Sequence, residues 1–213
     1  MIIDHENTYY RRKWDKCSIN KWNGAFYYSK EIVKNIIPNV VTDRNWMTVN
    51  VKGQGFDHSI VFIHNNLHPE HYEWLSQLKD LVLVCGVSET QEKLKHIGKT
   101  IYLPLSVDVE YVKSFCREKT KDTAFAGRPI KKFDIQFPEG IDYLQGMPRT
   151  KLLPAMAEYK NVYAVGRTAI EAKVLGCRIL PYDPRYPNPR RWKVLDNLDA
   201  AKILQQKLDK IDK

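Results

Sequence analysis

The sequence predicts an α/β fold made of two small Rossmann-like units with mostly parallel sheets. Short apolar runs, of the kind buried on both faces of a sheet, alternate with amphipathic segments of helical period. Such alternation is typical of parallel sheets covered by helices. A charge-rich stretch at residues 113–121 interrupts the apolar periodicity. We therefore expect a reduced first unit over residues 1–115 and a second unit over residues 116–213.

The first unit is predicted to contain four strands. Apolar residues at helical spacing predict a helix over residues 24–37, which Pro38 ends. A second helix is expected to start at Pro69, and a third, TQEKLKHIG, ends at Gly98. A fourth, rich in charged residues, is expected over 108–119. The predicted strands are MTVNV (47–51), SIVFIH (59–64), LVLVCGVS (81–88) and TIYLPL (100–105).

The second unit repeats the pattern with shorter pieces. Its predicted strands are DTAFAGR (122–128), FDIQF (133–137), IDYLQG (141–146), VYAVG (162–166) and CRILPYD (177–183). Its predicted helices are TKLLPAMAEY (150–159), which tolerates Pro154 if that residue lies in the first turn, TAIEAKVLG (168–176) and a final amphipathic helix over 199–211. The proline-rich segment PRYPNPRRWK (184–193) is expected to be a loop.

Composition narrows the class of partner. The net charge of +9, from 34 Lys+Arg against 25 Asp+Glu, favours a polyanionic or phosphate-bearing ligand. The cations are spread along the chain, so nucleic-acid binding is permitted without being indicated by a dense tract. No apolar run approaches the roughly 20 residues of a membrane helix, and the N-terminus lacks the order of a signal peptide. With four cysteines far apart and no C-x-x-C motif, we expect reduced thiols and a cytoplasmic protein.

The segment VGRTAIEAKVLG carries the clearest chemical pattern. Gly166 stands between an apolar strand and a helix, where it lets the backbone approach a ligand closely. The first N–H groups of a helix have no partner inside it and carry partial positive charge, which suits a phosphate. Glu171, one turn into the helix, could accept hydrogen bonds from ribose hydroxyls. The alternative is an ordinary strand–turn–helix joint in which Glu171 is favourably placed against the helix dipole.

The order of motifs over residues 80–205 resembles the donor half of GT-B glycosyltransferases of the retaining, nucleotide-sugar-dependent type. The matching pieces are Val87-Ser88-Glu89, Pro104-Leu105-Ser106-Val107-Asp108, Gly127-Arg128, Gly146 with Leu152 and Leu153, and the run from Tyr163 to Gly176. The resemblance implies an enzyme that moves a sugar from a UDP- or GDP-sugar to an acceptor, without a bound metal. The charge would fit an anionic acceptor, such as DNA carrying a modified base or another polyanion.

The resemblance also implies residue roles. Arg128, which follows Gly127, would bind the diphosphate and stabilise it as leaving group, with Lys131 or Lys132 assisting. In the second motif the turn Gly166-Arg167-Thr168 would present N–H groups to the diphosphate, and Glu171 would hold the ribose. The nucleotide base would lie beside Gly146 and Met147, and His64 would face the donor sugar.

Departures from the family leave alternatives open. Tyr163 stands where the family has a first glutamate, and the first half is short. A degenerate GT-B-like module that binds a nucleotide or nucleic acid without turnover is one alternative, and an unrelated Rossmann-like DNA-associated protein is another. His64, His68 and His71 are close enough in sequence to suggest zinc, although they lack the H-E-x-x-H spacing. Completion of the short half by a second copy, as a homodimer, is a further expectation.

Overall fold

A computed structural model of the protein describes residues 47–48, 60–63, 82–127 and 135–211. The fold is α/β with parallel sheets, which confirms the predicted class. The chain forms two compact units, one from Met1–Leu105 with Asn197–Lys213 and one from Ser106–Asp196. The break therefore lies about ten residues before the expected boundary at 115/116, and the final helix belongs to the first unit rather than the second.

The two ends of the second unit are joined to each other, which explains this boundary. Val107 forms an isolated parallel bridge with Asp196, and its N–H donates to Leu195 O at 3.0 Å. Asp196 also accepts a hydrogen bond from Val109 N at 3.1 Å through its Oδ2 atom. The chain thus enters and leaves this unit at one place, and the residues beyond Asp196 return to the first unit.

The first unit has one parallel sheet whose strands lie in sequence order, β1-β2-β3-β4. Its described elements are β1 (Met47–Thr48), β2 (Ile60–Ile63), β3 (Val82–Cys85), α1 (Ser88–Leu94), β4 (Lys99–Tyr102) and α5 (Asn197–Ile211). The apolar residues Leu83, Val84 and Cys85 are all buried, as expected for a strand covered on both faces. Lys207 of α5 donates to Tyr102 O at 2.7 Å. The helices predicted at 24–37 and from Pro69 lie outside the described residues.

The second unit has a parallel sheet in the order β6-β5-β7-β8. Its elements are α2 (Val109–Lys113), β5 (Lys121–Phe125), β6 (Asp142–Tyr143), α3 (Arg149–Met156), β7 (Tyr159–Tyr163), α4 (Gly166–Val174), β8 (Arg178–Leu180) and a 3₁₀ turn (Pro189–Arg191). From β5 the chain moves to β6 on one side, whereas from β7 it moves to β8 on the other. The order therefore reverses between β5 and β7, and such a switch point is where ligands bind in open α/β sheets.

Several element boundaries differ from the sequence prediction. Helix α2 ends at Lys113 instead of residue 119, because the following segment brings Lys119 to the ends of two other helices. Its amine donates to Ala157 O at 2.7 Å and to Leu175 O at 2.6 Å, where carbonyls at helix ends favour a cation. Pro154 is the sixth residue of α3 rather than part of its first turn, so this short helix tolerates one missing N–H.

Two further expectations concern the ends of strands. The described part of FDIQF, residues 135–137, is irregular and not a strand, although Phe137 packs against the strand ends. Helix α4 begins at Gly166 itself, two residues earlier than the pattern predicts. Glycine at this position adopts a φ of 63°, which other residues rarely reach, so the turn and the helix start coincide.

Candidate functional site

The two glycine-containing loops lie side by side at the switch point of the second sheet. Phe125, the last residue of β5, is the register partner of Tyr163, the last residue of β7. Ala126 N extends this pairing by donating to Tyr163 O at 3.0 Å. Gly127 follows two residues after β5, and Gly166 follows three residues after β7. The predicted positions of both glycines at strand ends are confirmed, whereas Arg128, Lys131 and Lys132 lie outside the described residues.

The start of α4 points its first turn at this edge. Val165 is the N-cap residue, and its apolar side chain cannot accept a hydrogen bond from the first turn. Arg167 and Thr168 are the second and third residues of the helix, and both are partly exposed. The first N–H groups of a nine-residue helix carry the positive end of its dipole. This end of α4 therefore favours an anion.

A buried ion cluster lies next to the helix start. Arg149 Nε donates to Glu171 Oε1 at 2.8 Å, and Arg167 Nε lies 3.7 Å from the same oxygen. The side chains of Arg149, Arg167 and Glu171 are 19%, 11% and 5% exposed. We call these three residues the arginine–glutamate cluster. The cluster places two guanidinium groups and one carboxylate next to the start of α4.

The cluster changes the interpretation of Glu171. The sequence suggested a carboxylate that meets ribose hydroxyls, yet the residue is 4% exposed and accepts a hydrogen bond from Arg149. Arg149 also lies over the ring of Tyr111, with its Cζ atom 5.0 Å from the ring centroid. In this arrangement Glu171 orients two arginines and compensates part of their charge. Access of a ribose to this carboxylate would require the cluster to rearrange.

Aromatic side chains gather at the carboxyl ends of all four strands. Phe137 packs with Phe125 at 4.7 Å and with Tyr163 at 5.0 Å between ring centroids, and Tyr182 packs edge-on to Phe125 at 5.0 Å. Tyr143, at the end of β6, is 6.2 Å from Phe137 and 57% exposed. We call these five residues the edge aromatic cluster. The rings line the switch point, and the exposed ring of Tyr143 can stack on a planar ligand.

Tyr182 explains why residue 127 is a glycine. A Cβ atom at Gly127 would lie 2.5 Å from the Tyr182 hydroxyl, which is too close for real atoms, and 3.1 Å from Cε2 of Phe125, which is a tight contact. Burial, with a smaller contribution from the neighbouring Asp183 charge, raises the pKa of Tyr182 to about 12. The phenol therefore stays protonated at neutral pH and can donate a hydrogen bond at this edge.

The loop between β6 and α3 completes the described edge. Gly146 has a φ of 72°, which favours glycine. A Cβ atom added there would have no neighbour within 4 Å, so the backbone conformation and not steric crowding explains the glycine. Met147 is 39% exposed, and Pro148 caps α3 just before Arg149. The predicted Gly146 and Met147 thus lie at the carboxyl edge with Gly127 and Gly166. His64 lies outside the described residues.

Sequence reasoning missed Arg149 and the edge aromatic cluster. Arg149 follows a glycine and a proline at a helix start, which was a usable signal for a cation near the strand ends. The aromatic cluster was visible only as one aromatic at or near the end of each predicted strand. Neither signal shows which side chains meet, because that depends on the order of strands in the sheet.

The described part of the chain contains neither a cluster of metal-binding side chains nor a membrane-spanning helix. Within the described residues no three His, Cys, Asp or Glu side chains are grouped to hold a metal ion. The three histidines considered for zinc lie outside these ranges. No helix among the described residues is long and apolar enough to cross a bilayer. Cys85, Cys116 and Cys177 are free thiols, as predicted.

Comparison with known protein families, with curated proteins and with solved structures gives no match. The resemblance to GT-B glycosyltransferases accordingly stays a prediction.

Proposed function

We propose that the carboxyl edge of the second sheet binds a nucleoside diphosphate sugar, and that the protein is a glycosyltransferase using a UDP- or GDP-sugar donor. One observation carries the proposal. Gly127 and Gly166 follow adjacent parallel strands at the switch point, beside the two guanidinium groups of the arginine–glutamate cluster. A diphosphate meets there a helix N-terminus, backbone that can be approached closely, and guanidinium groups.

The chemistry asked of this site is electrostatic. Transfer of the sugar leaves a diphosphate with growing negative charge, and fixed positive groups stabilise that charge most when they need no reorganisation. The arginine–glutamate cluster holds Arg149 and Arg167 in place before any ligand arrives. We assign Arg128 and Lys131 or Lys132, which follow Gly127, as direct diphosphate ligands. Glu171 then serves as the residue that positions the arginines.

The nucleotide base has an exposed partner on the same edge. Tyr143 is 57% exposed, and Met147, in the loop that follows β6, is 39% exposed. A base stacked on Tyr143 would gain roughly 1–3 kcal/mol, as such contacts do elsewhere. Stacking of this kind tolerates any base, so it fits either a uridine or a guanosine donor.

A second candidate function is nucleotide binding without transfer. Tyr163 occupies the position at which the family carries a first glutamate, and its ring packs edge-on against Phe137 at 5.0 Å. That position therefore contributes to the aromatic wall and supplies no carboxylate to a donor sugar. A binding module needs the diphosphate and base contacts only.

Thermal unfolding in the presence of UDP, GDP, ADP and their sugars tests both candidates. A nucleotide at 100 times its dissociation constant should add about 2.7 kcal/mol to the free energy of unfolding. Arg128→Ala should weaken that effect, whereas Arg178→Ala should not, because Arg178 is an exposed arginine at the start of β8 on the opposite edge of the sheet. Hydrolysis of one nucleotide sugar by the intact chain would then distinguish an enzyme from a binding module.

Two results would contradict the proposal. The absence of stabilisation by every nucleotide would remove both candidates. Equal losses from Arg128→Ala and Arg178→Ala would show that the diphosphate does not bind at this edge.

A further inference from the structure

Residues 184–193, PRYPNPRRWK, form a second positively charged surface that the nucleotide proposal does not use. We call this segment the basic turn. It contains four cations and no carboxylate. The neighbouring residue Asp183 is buried and forms an ion pair with Arg185. Arg185 Nε donates to Asp183 Oδ1 at 2.9 Å, and Arg185 Nη2 donates to Asp183 Oδ2 at 2.6 Å. Two further cations of the segment, Arg190 and Lys193, are exposed and lie close together in the chain.

The basic turn is a loop, as predicted, with one 3₁₀ turn, and hydrogen bonds attach it to α4. Lys173 of α4 donates from Nζ to Pro189 O at 2.8 Å and also to Trp192 O. Asn188 caps the 3₁₀ turn by accepting from Arg190 N at 2.9 Å. Trp192 is 5% exposed and anchors the end of the segment, whereas Arg190 and Lys193 are exposed. Because these hydrogen bonds restrain the backbone, binding of a ligand to these cations costs less conformational entropy.

The aromatic rings of the basic turn are already covered. Tyr186 has Arg191 over its ring at 5.1 Å and Arg185 over its ring at 5.5 Å, measured from Cζ to the centroid. Trp192 packs edge-on to Tyr186, with 5.3 Å between centroids. Proteins that bind single strands stack unpaired bases on open aromatic rings. In the basic turn Trp192 is buried and two guanidinium groups lie over Tyr186, which favours contacts with phosphates over stacking of unpaired bases.

We propose that the basic turn binds the phosphate backbone of a nucleic-acid duplex. Exposed cations that lie close together in the chain attract backbone phosphates, and such contacts position a protein without reading sequence. The net charge of +9 on the whole chain attracts the same polyanion over a longer range. This inference does not depend on the proposed function, because it uses none of the residues at the carboxyl edge of the sheet.

Fluorescence anisotropy of the full chain with a labelled 24-base-pair duplex tests the proposal between about 50 and 200 mM salt. Each phosphate contact contributes about 0.9 to the slope of log affinity against log salt. The double variant Arg190→Ala/Lys193→Ala should therefore reduce the slope by about 2 and weaken binding roughly tenfold to a hundredfold at 0.1 M salt. Both residues are exposed, so thermal unfolding should be unchanged and the nucleotide-induced shift should remain.

The matched control removes the same charge elsewhere. Lys93→Ala/Lys202→Ala takes two exposed lysines from the first unit and should leave the slope as in the unmodified protein. Parallel measurements with DNA duplex, RNA duplex, a single-stranded oligonucleotide and anionic phosphatidylglycerol vesicles identify the polymer. Binding of either duplex that depends on Arg190 and Lys193 supports the proposal, and the tighter duplex is the preferred one.

Three outcomes would overturn it. The first is that the chain binds no duplex at about 50 mM salt, and the second is an equal loss of slope in the two double variants. Tighter binding of the single strand or of the vesicles than of both duplexes would also exclude a duplex backbone as the ligand.

Discussion

Arg149 Nε donates a 2.8 Å hydrogen bond to Glu171 Oε1, and this ion pair ties the first residue of α3 to the second turn of α4. Both helices start at the carboxyl edge of the second sheet. The pair therefore holds two helix starts together at the place where we expect a diphosphate. Because both side chains are largely buried, the loss of either one leaves a charge that water reaches poorly.

Loss of the Glu171 carboxylate should destabilise the protein. We expect Glu171→Ala to lower the free energy of unfolding by about 3 kcal/mol, since two neighbouring guanidinium groups lose their buried counter-charge. Urea unfolding measures the change. Glu110→Ala is the matched control, because Glu110 pairs with Lys113 at 3.0 Å but is 84% exposed. Similar losses in the two variants would show that burial of the pair does not matter.

Substitution of Gly127 should be destabilising for a steric reason. The Cβ atom of Gly127→Ala would overlap the Tyr182 hydroxyl at 2.5 Å, and overpacking of this kind costs about 1–3 kcal/mol. Adding Tyr182→Phe removes the hydroxyl and should recover part of the loss, whereas Tyr182→Phe alone should have a small effect. The four proteins can be compared by urea unfolding. A double variant no more stable than Gly127→Ala would rule out this contact as the cause.

Asp183 should make the protein sensitive to acid. Burial by itself raises the pKa of this carboxyl, but hydrogen bonds from Arg185 outweigh burial and hold the pKa below its ordinary value of 3.8. A carboxyl with a lowered pKa in the folded state contributes stability that is complete above the unfolded pKa and is lost as pH falls through the folded one. Arg185→Ala should therefore move the midpoint of acid unfolding, followed by circular dichroism, to higher pH.

Arg178→Ala provides the comparison for that experiment, since it removes an exposed arginine from the same unit. If both variants unfold at the same pH, the Asp183–Arg185 pair does not determine acid stability.

The described cysteines should differ in reactivity. Cys116 is exposed, whereas Cys85 and Cys177 are buried. Burial raises the pKa of Cys85 to about 12 and is the main cause of a raised pKa at Cys177. With iodoacetamide at pH 8, peptide mass spectrometry should show Cys116 modified well before the other two. In urea-unfolded protein, iodoacetamide should modify all three cysteines at similar rates. Equal rates in the folded protein would contradict the described burial.

Periodicity was sufficient to predict the class of fold and most of the described elements. In the apolar run of β3 three of the four residues are buried, and the amphipathic segment of α5 is a helix. The sequence also indicated that Gly127 and Gly166 follow strands. Gly166 has a local cause, its positive φ, whereas the need for glycine at position 127 comes from its contact with Tyr182. The unit boundary was not predictable in the same way, since it depends on the pairing of Val107 with Asp196, which are far apart in the chain.

By itself, then, the amino-acid sequence determined local properties of this protein: which segments are strands or helices, where the backbone needs glycine, and an overall positive charge. Only the tertiary structure decided which of these local features meet. It placed β5 beside β7, turned Glu171 toward Arg149 and Arg167, and fixed the basic turn on Lys173. The physical reason is that strand order and buried ion pairs depend on contacts between distant residues, which no pattern of neighbouring residues specifies.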